Sequence, residues 1–116
     1  MIKLTLPLPP TLSKATSNRV RGKGRFKTAV AKAWEAEAGL LLNGLGHISG
    51  EVEVYYGIYY KDHRKQDLAN REKLTSDILT KHGIIEDDCK IVKMTLEKLG
   101  IDKHNPRIEI EIKESK

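Results

Sequence analysis

The spacing of apolar residues changes several times along the chain, and each change marks an element. Ile2, Leu4, Leu6 and Leu8 occupy every second position, which places them on one face of an opening strand until Pro7, Pro9 and Pro10 stop it. From Thr11 to Lys27 large apolar side chains nearly vanish in favour of Ser, Thr, Asn, Gly and basic residues. Burial there cannot offset the entropy of ordering, so residues 11–27 are expected to form a mobile basic loop. Phe26, Val30, Ala33, Trp34, Ala38, Leu41 and Leu42 then recur at spacings of three and four, predicting an amphipathic helix over about 28–43 with Gly44 as its C-terminal cap.

Val52, Val54 and Tyr56 alternate with Glu51, Glu53 and Tyr55 in a second strand that runs towards Tyr60. The charged connector Lys61 to Gln66 leads to a second helix whose apolar face is Leu68, Leu74, Ile78 and Leu79 and which Gly83 ends. Val92, Met94 and Leu96 alternate with Ile91, Lys93 and Thr95 in a third strand, and Ile108, Ile110 and Ile112 alternate with Glu109 and Glu111 in a fourth. The order β-α-β-α-β-β predicts one α+β domain over residues 1–116. Two helices would cover one face of a four-stranded mixed sheet, leaving the other for solvent or a second subunit.

Composition narrows the setting. A chain of 116 residues with 39% hydrophobic side chains builds only a modest core, which a dimer interface would supplement. The single cysteine, Cys89, cannot form an internal disulfide, so a reducing compartment and a cytoplasmic location are expected. The densest apolar run, Ala36 to Leu42, is interrupted by Glu37 and Gly39 and falls far short of the roughly 18 residues of a membrane span. The N-terminus alternates and then reaches Pro7, Pro9 and Pro10, which is not the charged segment followed by an apolar block expected of a signal peptide.

Charge points to a partner. Residues 1–49 hold eight bases and two acids, whereas the remainder holds thirteen bases and fourteen acids. Lys14, Arg19, Arg21, Lys23, Arg25 and Lys27 lie in a stretch that contains no acid. Six cations on a glycine-containing segment suit the phosphates of a nucleic acid, with binding that weakens steeply as salt rises; a solvated loop that only aids solubility is the plainer alternative. Aromatic residues make up only 5% of the chain, which gives little support to base stacking. His47, His63, His82 and His104 show no zinc-ligand spacing with Cys89 and read as surface or locally hydrogen-bonded residues.

Candidate chemistry lies in the run Arg64-Lys65-Gln66-Asp67-Leu68-Ala69-Asn70-Arg71-Glu72-Lys73 and in Glu86-Asp87-Asp88 at the threshold of the third strand. Carboxylates at element ends, near cations, are what a hard ion such as Mg²⁺ requires. Asn70, Lys73 and Asp77 are spaced by three and four and share a polar stripe. Structural readings stand beside these: Asp67 as N-cap of a helix starting at Leu68, Lys73 with Asp77 as an ordinary ion pair, and Glu86 to Asp88 as a solvated turn.

Taken together, the opening strand ending in Pro9-Pro10, the basic segment, Asp67-Leu68-x-Asn70-x-x-Lys73, and then Asp77, Leu79, Gly83 and Asp87-Asp88 resemble the RusA family of Holliday junction resolvases, small dimeric endonucleases common in phages and prophages. The family pattern reads Asp-Leu-Asp-Asn-x-x-Lys, followed by an Asp-Asp pair. The resemblance implies that Asp67 and Asp88 are catalytic carboxylates that bind Mg²⁺ with Asp87 beside them, that Lys73 is the essential basic residue near the scissile phosphate, and that Asn70 and Asp77 are supporting residues. It further implies a homodimer making paired nicks in a four-way DNA junction, with Arg64 and Lys65 joining the basic segment on DNA. The departure is Ala69, where the family has its second Asp, so cleavage is expected to be impaired in this sequence. The open alternatives are a non-catalytic nucleic-acid-binding protein and a nuclease for other branched DNA.

Overall fold

The computed structural model describes residues 1–11, 16–17, 26–64 and 68–115. Its strands are β1 (Ile2–Pro7), β2 (Thr16–Ser17), β3 (Phe26–Lys27), β4 (Val52–Tyr60), β5 (Ile91–Ile101) and β6 (Arg107–Glu114). Its helices are α1 (Ala29–Leu42) and α2 (Glu72–Lys81), with 3₁₀ turns at Leu68–Arg71 and Asp88–Lys90. The main sheet has the order β1-β6-β4-β5. β4 pairs antiparallel with β6 and parallel with β5, so the sheet is mixed, as the element order predicts.

Period-two patterning sets the register. Val54, Tyr56 and Ile58 of β4 sit opposite Ile112, Ile110 and Ile108 of β6, and Leu4 and Leu6 of β1 sit opposite Ile110 and Ile108. A slip of one residue would turn this set to solvent. Tyr56, Ile58, Ile108, Ile110 and Ile112 are buried beneath the helices. Each large apolar side chain contributes roughly 1.5–3 kcal/mol relative to exposure.

α1 lies where its periodicity puts it, capped by Thr28, whose hydroxyl accepts from the Ala31 backbone N–H at 3.3 Å. Gly44, at φ +79°, follows the helix end. The buried stripe, however, is Ala31, Trp34, Ala38 and Leu42. Val30 and Leu41, expected inside, are 57% and 48% exposed, Ala33 is exposed, and Phe26 precedes the helix in β3. Trp34 fixes the rotation: its indole N–H donates to the Pro7 carbonyl at 2.8 Å. Ala31 and Ala38 on either side let the helix approach the sheet closely.

Within the basic segment, Thr16 pairs with Lys27 and Ser17 with Phe26, an antiparallel backbone ladder where the composition predicts a loop. Such a ladder needs no apolar burial, so apolar periodicity does not signal it. The remainder of residues 12–25 lies outside the described residues. The second helix also departs from expectation: Leu68–Arg71 is a 3₁₀ turn and α2 begins at Glu72 with Arg71 as its N-cap residue, while Asp67, expected to cap a helix starting at Leu68, lies outside the described residues. Leu74, Ile78 and Leu79 are buried as predicted.

β5 is an edge strand, and only part of its predicted alternation holds. The register steps from Val52↔Ile91 to Glu53↔Lys93, a bulge that throws Val92 outward. Val92 and Met94 are exposed, whereas Ile91 and Leu96 pack against the core. The face of the sheet away from the helices is uncovered. There the Tyr55 hydroxyl donates to Glu97 at 2.6 Å, and Arg107 lies 4.0 Å over the Tyr59 ring while pairing with Asp102 at 2.7 Å and Glu109 at 3.1 Å. Among the described residues, no helix is long and apolar enough to cross a membrane.

Candidate active site

The connection from β4 through α2 to β5 brings two distant pieces of sequence together. α2 turns Leu74, Thr75, Ser76, Ile78 and Leu79 inward, which leaves Lys73 and Asp77 on its outer side. Gly83, at φ +72°, lets the chain turn back, and the buried Ile84 and Ile85 anchor the return, with Ile85 bridging to Ile48. Asp87 then accepts from the Cys89 backbone N–H at 3.2 Å and starts the 3₁₀ turn that presents Asp88.

Lys73 joins the two pieces. Its Nζ lies 3.2 Å from Asp77 Oδ1 and 3.7 Å from Asp88 Oδ2. Asp77 foremost, then Asp88 and Glu72, raises the ammonium pKa above its ordinary value. The Asp87 carboxyl is held below the usual carboxylate range, first by its hydrogen bond with the Asp88 side chain and next by the Cys89 backbone N–H. A half-exposed cation between carboxylates, with two adjacent acids on one side, is an arrangement that can receive a phosphate oxygen and a divalent ion together.

Beneath this surface runs a hydrogen-bonded chain that begins in the sheet. Ser76 Oγ donates its one hydrogen to Glu72 Oε2 at 2.6 Å, so at its 2.9 Å contact with Tyr56 the phenol is the donor. Burial pushes the Tyr56 hydroxyl well above the ordinary tyrosine range. Arg71, between the 3₁₀ turn and α2, is only 8% exposed. Its guanidinium donates to the Pro9 carbonyl and lies 5.8 Å from the Tyr60 ring centre, and its own carbonyl accepts from Thr75 Oγ1 at 2.8 Å.

Of the residues singled out from sequence, Lys73, Asp77, Asp87 and Asp88 come together. Ala69 is exposed and Asn70 half-buried in the 3₁₀ turn that leads to Lys73. Glu86 turns elsewhere, its Oε1 accepting from the Gly50 backbone N–H at 2.6 Å. Arg64 is exposed and engaged by Asp62 at 3.5 Å. Asp67, Lys65, Lys14, Arg19, Arg21, Lys23 and Arg25 lie outside the described residues, as does the side chain of Lys27. Among the described residues, no three His, Cys, Asp or Glu side chains form a metal site. Arg71 and Glu72 stand inside the run quoted from sequence, but nothing in the pattern marks one as buried or ties the other to Tyr56.

The model of the family described as endodeoxyribonuclease RusA matches residues 7–113. The chain belongs to the RusA family. It is 30% identical over 117 residues to the crossover junction endodeoxyribonuclease RusA of Escherichia coli (strain K12), an alignment covering 96% of this chain and 92% of that protein. The crossover junction endodeoxyribonuclease of Enterobacteria phage 82 is 28% identical over 118 residues, with the same coverage. The RusA relationship thus spans β1 to β6 and includes both pieces of the site.

Proposed function

We propose that this chain is a structure-selective endonuclease of the RusA type that cuts four-way DNA junctions. The observation that carries this reading is the 3.7 Å approach of Lys73, at the start of α2, to Asp88, ahead of β5. The names of the relatives supply the substrate class. Asp67 and Asp88, with Asp87 beside them, are the residues that would hold Mg²⁺, since oxygen donors around an open position suit that ion. Bound there, Mg²⁺ supplies a water of lowered pKa and stabilisation of charge on the phosphoryl oxygens.

The chain's own residues do the rest. Lys73, kept protonated by Asp77 and Asp88, receives the scissile phosphate and stabilises its growing charge. The bases from Lys14 to Lys27 contact phosphates on the junction arms, with Arg64 and Lys65 extending that surface. A homodimer with two-fold symmetry presents two such sites to equivalent strands and so makes paired nicks. Ala69 withholds the oxygen that the family motif places in the turn before Lys73, which weakens the metal site and lowers the rate.

The test incubates a mobile four-way junction with Mg²⁺ and either the protein as given or its Ala69→Asp variant. Paired symmetric nicks are expected to rise about a hundredfold in the variant, the scale of ~3 kcal/mol of transition-state stabilisation. No cleavage by either form, with salt-sensitive binding intact, would leave a binding protein only. Preferential cutting of flaps or other branches in competition would change the substrate class.

A further inference from the structure

Arg71 presents an energetic problem. A guanidinium that is 8% exposed carries a desolvation penalty, and burial lowers its pKa. Hydrophobic side chains of similar volume often serve a core as well as buried ions do, so stability alone does not account for a charge at this position. Its contacts suggest what does. The guanidinium donates to Pro9, beyond the end of β1, and lies against the ring of Tyr60, the last residue of β4. Its backbone carbonyl is tied to Thr75, fully buried in α2.

These contacts sit at the roots of the chain segments that matter. Pro9 opens the way to the basic segment, Tyr60 to the connector holding Arg64 and Asp67, and Arg71 itself is two residues before Lys73. Pro7, Pro9 and Pro10 have no N–H with which to join a ladder, so beyond the backbone bond from Leu8 N–H to the Pro106 carbonyl at 3.3 Å, side-chain donors hold the exit of β1 through its carbonyls: Trp34 at Pro7 and Arg71 at Pro9. A rigid, planar fork can grip a carbonyl and face a ring in one fixed geometry, which a flexible ammonium cannot reproduce.

We propose that Arg71 is a positioning residue, a brace that sets the turn carrying Lys73 in register with the exit of β1 and the end of β4. This rests on the endonuclease reading for its consequence in catalysis, though not for its geometry. Removing the brace keeps every DNA-contacting base in the sequence and lets the turn that carries Lys73 wander relative to Asp88 and the bound phosphate. Binding then survives while the chemical step slows, because misplacement of about 1 Å can lower a rate by as much as a hundredfold.

The test compares Arg71→Met and Arg71→Lys in the Ala69→Asp protein. Arg71→Met leaves the buried Pro9 carbonyl without its donor, so the melting temperature should fall modestly with the protein still folded at the assay temperature, and junction affinity without divalent ions should stay within about twofold. The saturating single-turnover rate should drop about tenfold to a hundredfold. Amide hydrogen exchange should quicken at Thr11 and across Leu68–Lys73, but not at Tyr56 or Ile110 in the sheet. Arg71→Lys, which keeps the charge without the fork, should recover only part of the rate and decides the matter if Arg71→Met does not fold. An unchanged rate, a rate that falls only with the folded fraction, or exchange that stays slow in the turn would overturn the proposal. Should the Ala69→Asp parent fail to cut DNA, the nuclease reading falls, and the exchange pattern alone still decides whether Arg71 is the brace.

Discussion

At the scale of single residues, Lys73 is the point on which the site turns. Its two carboxylates raise its pKa for the same electrostatic reason but differ in origin: Asp77 is one helical turn away and Asp88 returns from the far side of α2. Replacing Asp77 with Asn should therefore move the Lys73 ammonium back towards its ordinary titration point without detaching Asp88, measurable from the pH dependence of the Lys73 Cε resonance. The sign is fixed by linkage. A lysine whose folded pKa is raised lends stability below its ordinary value and loses it as pH rises through the folded value, so the variant should differ from the parent at neutral pH and converge with it in strong alkali. Because both partners are half-exposed, solvent screening keeps the stability effect small. The Lys73–Asp77 pair is legible from spacing alone, and the acidic pair at 87 and 88 from its place before a strand. The burial of Arg71 is not, because a charged residue within a charged run gives no sign of facing inward.

At the scale of elements, β4 shows how tightly the uncovered face is fitted. Gly57 lies at its middle, where an added Cβ would meet Leu99 Cδ1 at 2.6 Å and the Tyr55 hydroxyl at 2.7 Å. Gly57→Ala should push both side chains aside and break the Tyr55–Glu97 hydrogen bond, destabilising the protein by about 1–3 kcal/mol, the usual range for overpacking. That bond, foremost, pushes the Tyr55 phenol up to about 12. The variant should titrate Tyr55 nearer its ordinary ~10, as ultraviolet absorbance would show. The parent's stability advantage from a neutral phenol should hold below pH ~10 and disappear as pH rises through about 12. The strand itself is plain from alternation, as are β1 and β6. α1 is foreseen in extent but not in rotation, because a helix with Val30, Leu40 and Leu41 outside and Leu42 inside is apolar on more than one side and its pattern does not name the buried face. The bulge at the start of β5 leaves no trace in hydrophobic spacing.

At the scale of the whole molecule, charge and topology divide the work. The excess of bases in residues 1–49 belongs to the segment between β1 and α1, while the sheet and α2 build the site. Neutralising Arg21, Lys23 and Arg25 together should lower junction affinity and flatten the plot of log affinity against log salt by about 0.9 for each phosphate no longer neutralised. Titrations at several salt concentrations would show it, and an unchanged slope would place the DNA surface elsewhere. The mixed sheet and its helix-covered face follow from the order of elements, but the strand order does not: nothing local says that β6 inserts between β1 and β4. That insertion has a temporal consequence. During synthesis Ile2, Leu4 and Leu6 emerge about a hundred residues before the strand they pair with, Arg107–Glu114. Contacts of such long sequence separation form slowly, so the nascent N-terminal ribbon must wait unpaired, a window in which chaperone capture competes with closure of the sheet.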